Sequence, residues 1–112
     1  MGHIKSTGAP ISGTKPDGSH KQVTNILDDE NCRMISIGLW NKAVLSRHRA
    51  PEPISVLCLS GSGVFTAGAE LDEHQPLQPG TIITLDAGID HELAATPDIL
   101  ILVTRYKNSH TV

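Results

Sequence analysis

His48 and His91 are the side chains of this sequence whose surroundings best suit chemistry. His91 follows a compact series: Pro79-Gly80, a short β-prone run, then Asp86-Ala87-Gly88. A histidine just past a chain reversal has its imidazole aimed by that reversal. Strand side chains alternate between faces. His91 therefore shares a face with Ile89 and Leu93, while Asp90 and Glu92 point the other way. By the same alternation His48 aligns with Val44 and Ser46, and Ile54, Val56 and Cys58 share a face on the strand that follows. If these faces line one chamber, its interior holds His48, Ile54, Val56, Cys58 and His91.

Such a chamber supports two kinds of chemistry. Neutral imidazole is a common ligand of divalent metals. Here His48 and His91 would hold Zn, Fe, Ni or Mn, weakly, because tight sites use three or four protein ligands. Cys58 and Glu52 are the available third donors. The alternative is a pair of hydrogen-bonded histidines in a metal-free pocket for an organic molecule, or a plain core.

The other polar groups read as surface. His74 lies beside Asp72 and Glu73, and His3, His20 and His110 lie near the ends. Arg47 and Arg49 flank His48 and are expected to face away from it, meeting an acidic ligand only if the loop turns inward. Glu70, Asp72 and Glu73 form a charged face rather than a catalytic pair. Gly61-Ser62-Gly63 lacks the lysine and helix of a phosphate loop and reads as a turn.

Composition narrows the options. With 112 residues the chain forms one domain with a modest core. Trp40, Phe65 and Tyr106 are its only aromatics of the Phe, Trp and Tyr class, so aliphatic side chains must line any pocket. That scarcity, with a net charge of −3, argues against nucleic acid as a partner. The longest apolar run, near residues 99–103, is too short to span a bilayer. The start lacks the basic-then-apolar order of a signal peptide. Two cysteines in that setting predict free thiols and a cytoplasmic location.

The elements that must position the histidines are short strands. Residues 23–27, 33–39, 43–48, 54–59, 64–67, 69–74, 81–85, 89–95 and 99–106 have strand character, with turns at 28–31, 41–42, 61–63, 86–88 and 96–98. Pro79-Gly80 suits a type II turn. The Ala50-Pro51-Glu52-Pro53 stretch must be a loop or a strand entry. The pattern is nine or ten strands with no helical period, which predicts an all-β sandwich or barrel. Residues 1–20 are rich in Gly, Ser, Thr, Pro and Lys. They read as a tail that packs on a partner subunit or adds a strand to its sheet, leaving 21–112 as the folded domain.

The segment Gly80-(five residues)-Asp86-Ala87-Gly88-(two residues)-His91 resembles the second motif of the cupin superfamily. Gly80, Gly88 and His91 match it; Asp86 replaces the usual proline and Ala95 a frequent asparagine. The stretch from His48 to Gly61 resembles the first motif, His-x-His, three or four residues, Glu, six residues, Gly. His48 and Gly61 match, while Ala50 takes the second histidine position and Ile54 the glutamate position. A small group of single-domain cupins shares the His-x-Ala-Pro-x-Pro-Ile start. The resemblance, over roughly residues 34–105, implies an all-β jelly-roll barrel (a double-stranded β-helix, RmlC-like) that is often dimeric, and two of the four usual metal ligands. The expected function is binding of a small molecule in the barrel, with a weakly held divalent metal as its possible cofactor, in a homodimer. The alternatives are a metal-dependent enzyme of the dioxygenase or isomerase type acting on a small polar substrate, and a non-catalytic regulatory or scaffold module.

Overall fold

The computed structural model describes residues 4–11 and 20–107. Among them there are seven strands and no helix: β1 (Lys21–Asp28), β2 (Cys32–Leu39), β3 (Val44–His48), β4 (Ile54–Ala67), β5 (Glu73–Leu77), β6 (Ile82–Leu85) and β7 (His91–Tyr106). No helix of the described residues is long and apolar enough to cross a membrane.

The frame is the antiparallel pair of the two longest strands, β4 and β7. Their halves carry different neighbours. Ile54 to Leu57 of β4 pairs with β6, and the facing half of β7 pairs with β2, which pairs with β1. Beyond the middle, Gly63 to Ala67 of β4 pairs with β5, and the facing half of β7 pairs with β3. Two sheets, β1-β2-β7-β4-β6 and β3-β7-β4-β5, thus share one continuous pair. Their inner faces meet in a single core that includes Ile37, Val56, Phe65, Leu93, Ile101 and Val103. This is a jelly-roll barrel.

The sequence predicts a hairpin turn at Gly61-Ser62-Gly63 and another turn at Thr96-Pro97-Asp98; both expectations are corrected. The two segments face each other in the middle of the β4–β7 pair. Cys58 pairs with Ile101 and Ser60 with Leu100, so Leu59 is an extra residue on β4. Gly61 then pairs with Ile99 and Gly63 with Ala95, leaving Ser62 opposite Thr96, Pro97 and Asp98. Bulges of this kind bend a strand without ending it. The extra residue also shifts the pleat, so the buried side chains of β4 change from Ile54, Val56 and Cys58 to Phe65 and Ala67. Ser62 donates its hydroxyl to the Thr96 carbonyl at 2.7 Å. Gly61 is required here. Its φ is +75°, and a Cβ would lie 2.1 Å from the Asp98 carbonyl oxygen. Merging two pairs of expected strands through these bulges is why seven strands replace nine or ten.

A second correction concerns residues 69–74. Positive φ at Gly68 and Leu71 turns the chain there, with the Leu71 N–H donating to the Gly68 carbonyl. The strand begins later, at Glu73, and its Pro76 is tolerated because β5 is an edge. The Pro79-Gly80 turn forms as expected, with Gly80 at φ +93° and the Thr81 N–H donating to the Gln78 carbonyl. At the bend, the Asn41 N–H donates to the Asp98 carboxylate and the Lys42 N–H to the Pro97 carbonyl. The β2–β3 turn is thereby docked on the β7 bulge, and buried Trp40 lies over Gly38.

Candidate functional site

β3 ends on His48 and β7 begins on His91, and the two residues are register partners. Their rings meet edge to face, with centroids 4.2 Å apart and planes at 62°. Two backbone contacts hold the loops around them. The Gly88 N–H donates to the Ala50 carbonyl, and the Gly68 N–H donates to the Asp90 carbonyl. The sequence motifs around His48 and His91 are thus tied together directly through Ala50 and Gly88.

Hydrogen bonding fixes which nitrogen of each imidazole carries a proton. His48 Nδ1 lies 2.8 Å from the Ser46 carbonyl oxygen, and His91 Nδ1 lies 3.0 Å from that of Ile89. A carbonyl only accepts, so each Nδ1 carries the proton. In the neutral rings Nε2 is then the acceptor. His91 is 4% exposed and stacks on Phe65, with centroids 5.4 Å apart and planes at 17°. Burial holds its pKa below the usual histidine value; the hydrogen bond to Ile89 opposes this and the neighbouring His48 adds to it. His91 is therefore neutral near pH 7.

The histidines open on a cavity of about 290 Å³. Its walls are apolar, with Ile54, Val56, Phe65, Leu93, Ile101 and Val103 among them. Ala50 and Pro51 lie at its side, and the polar groups that reach it are His48, His91, Arg49 and Arg105. This is near the lower end of the roughly 300–1,000 Å³ common for ligand sites. Of the residues singled out from the sequence, His48, Ile54, Val56 and His91 come together on this cavity. Cys58 does not line it. It is the next inward residue along β4, and its thiol turns towards the carbonyls of Ser60 and Gly61 at the bend, where burial raises its pKa.

Glu52 is also engaged elsewhere. Its two carboxylate oxygens accept from Arg105 Nη2 at 2.8 and 2.9 Å. Arg47 faces outward as expected, donating to Asp90 from Nε and Nη2 and to the Ala69 carbonyl. Arg49 departs from expectation. The chain turns after β3, so Arg49 reaches the cavity mouth while its Nε contacts Asp90 at 2.7 Å. His20 and His74 are exposed; His3 and His110 lie outside the described residues. Arg105 is the residue that sequence reasoning missed. The signal was available, since Ile99, Ile101, Val103 and Arg105 have one parity and that face is the inner one.

A cupin-type metal is tested against these donors. Among the described residues no three or more His, Cys, Asp or Glu side chains converge. Ala50 and Ile54 take the remaining ligand positions, Glu52 is held by Arg105, and Cys58 points away. Two imidazoles alone do not fit a metal centre of three or four protein ligands.

The jelly roll, the β3–β7 histidine pair and the cavity beside it define the chain as a protein of the cupin fold. Solved structures of that fold agree. An RmlC-like cupin protein from Desulfovibrio desulfuricans superposes with a TM-score of 0.79 at 20% identity, over 94% of this chain and 98% of that one. A cupin superfamily protein from Desulfitobacterium hafniense gives 0.74 at 14% identity over 83% of each chain. A conserved protein of unknown function from Streptococcus pyogenes gives 0.74 at 18% identity, over 97% and 100%. No protein-family model and no curated protein matches the sequence. Likeness at these identities shows the fold, and function must come from the site.

Proposed function

We propose that this cupin domain binds a small organic molecule in its barrel, with the ligand's polar end against His48 and His91. The observation that carries this reading is the pairing of two imidazoles, each with Nδ1 spent on a backbone carbonyl, at an otherwise apolar cavity of about 290 Å³. At roughly 30 Å³ per water-sized volume, the space suits a molecule of about ten non-hydrogen atoms or fewer. The walls supply hydrophobic contact and the two acceptors orient the ligand, as in many small-molecule sites.

We also propose that the protein acts as a cytoplasmic homodimer. Cys32 and Cys58 are free thiols, which suits a reducing compartment. β1 is an edge strand, and the described part of the tail runs beside it. Lys5 pairs with Asp29, and the Thr7 hydroxyl donates to the Ile26 carbonyl. Ile4 and Ile11 in that segment are 91% and 75% exposed, and a partner would cover them.

The test uses 4-methylpentan-1-ol as a neutral probe, followed by NMR of the His91 ring and the Leu93 and Val103 methyls. Saturable shifts in the wild type that vanish in the cavity-filling Ala50→Leu variant are expected. Their absence in the wild type, or persistence in Ala50→Leu, overturns the reading. Near-stoichiometric Zn, Fe, Ni or Mn in freshly purified protein, lost in His48→Ala and His91→Ala, would replace it with the metal-dependent enzyme.

A further inference from the structure

We infer that the ligand is an anion with a compact apolar body, that Arg105 with Arg49 selects its carboxylate, and that the acceptor nitrogens of His48 and His91 meet a separate hydroxyl or N–H of the same molecule. The inference rests on the cavity-binding reading above and adds the chemical class. It starts from an unspent donor. Arg105 lines the cavity, yet its Nε is buried with no hydrogen-bond partner among the described residues. Only Nη2 is used by Glu52. A buried N–H without an acceptor is costly, and more so on a charged group. That N–H is itself shielded from the cavity, so a ligand oxygen would meet the Arg105 charge first and Nε only once the side chain turns.

The charges around the mouth point the same way. Asp90 is shared by Arg47 and Arg49, and Glu52 by Arg105 alone, so three guanidiniums face two carboxylates across these ion pairs. Arg47 already holds Asp90 through two N–H groups, so Arg49 is only partly compensated. Arg33, the register partner of Arg105 on β2, is in turn opposite Asp28 on β1, which offsets its charge. One added negative charge would balance the remaining excess at Arg49 and Arg105. Guanidinium suits a carboxylate because its donors are planar and fixed. Beyond these groups the walls are Ile, Val, Leu and Phe, which match an aliphatic or small aromatic body and offer little to a sugar or nucleotide.

The test compares 4-methylpentanoate with its neutral isostere 4-methylpentanamide, by calorimetry and NMR, on the wild type and on Arg105→Gln, Arg105→Lys and Arg49→Gln. The wild type is expected to bind the carboxylate at least ~10-fold more tightly than the amide, as a site built around an ionic partner discriminates. Arg105→Gln should abolish that preference, Arg105→Lys restore part of it, and Arg49→Gln reduce it. Arg49 is mostly exposed, so its variant reports on selection even if Arg105→Gln fails to fold. Equal binding of the two probes by the wild type overturns the anion inference while leaving cavity binding intact. A preference unchanged in both Arg105→Gln and Arg49→Gln also overturns it. If neither these probes nor 4-methylpentan-1-ol binds, both readings fall.

Discussion

Replacing Gly61 with alanine should weaken the bend that brings the two halves of the site together. The cost has two parts. At φ +75°, an L-residue pays about 1–2 kcal/mol for the left-handed conformation. The new Cβ would also lie 2.1 Å from the Asp98 carbonyl oxygen, 2.9 Å from its carbonyl carbon and 3.0 Å from Ile99 Cα. All three are backbone atoms, so no side-chain rotation relieves the contact. β4 and β7 must part by about 1 Å where Ser62 and Thr96 are bonded, and overpacking of this sort costs about 1–3 kcal/mol. Together these give roughly 2–5 kcal/mol, against a total of about 5–15 kcal/mol for an ordinary domain. Gly80→Ala is the control. Its φ is +93°, but a Cβ there meets nothing within 4 Å, so only the conformational part applies. Urea unfolding followed by the fluorescence of Trp40, the single tryptophan, separates the two variants. Gly61→Ala losing no more stability than Gly80→Ala would refute the proposed close approach of the two strands.

His91 has its pKa lowered by burial, so the unfolded chain binds its proton more readily than the folded one. Its contribution to stability is intact above the ordinary histidine value of about 6.5 and is lost as pH falls through the lower, folded-state value. Urea midpoints between pH 8 and pH 5 should decline more steeply in wild type than in His91→Asn, and parallel profiles would count against a buried neutral ring. Deleting residues 1–18 should convert a dimer to a monomer, read by light scattering; an unchanged dimer removes the tail from the interface.

Pleating was enough to place His91, Ile54 and Val56 on one inner surface, because alternation is local and needs no knowledge of partners. It failed for His48, which it grouped with Val44 and Ser46. Those two are exposed, Leu45 lines the cavity, and an irregularity between Leu45 and His48 brings His48 to His91. Cys58 obeys the same alternation and still misses the cavity. Depth along a strand is set by where the bend falls, and Leu59 and Gly61 decide that through their register with β7. The segments 61–63 and 96–98 have the composition of turns, and taken singly each reads as a reversal. Only their mutual pairing turns them into bulges in continuous strands. Arg49 was assigned outward by extending the alternation of β3 beyond His48, where the strand stops. Arg105 was legible by parity, but its charge at the end of an apolar run reads as a strand terminus reaching solvent.

The shared β4–β7 pair has a mechanical consequence. Fourteen and sixteen residues of unbroken backbone pass through both sheets. The spacing of opposite walls is therefore set by main chain, as the jaws of a caliper are set by its beam. A guest that is too wide would have to spring that beam rather than rotate a side chain. Under the proposed binding role, girth is the property this frame would gauge, with tolerance confined to the loops at the rim.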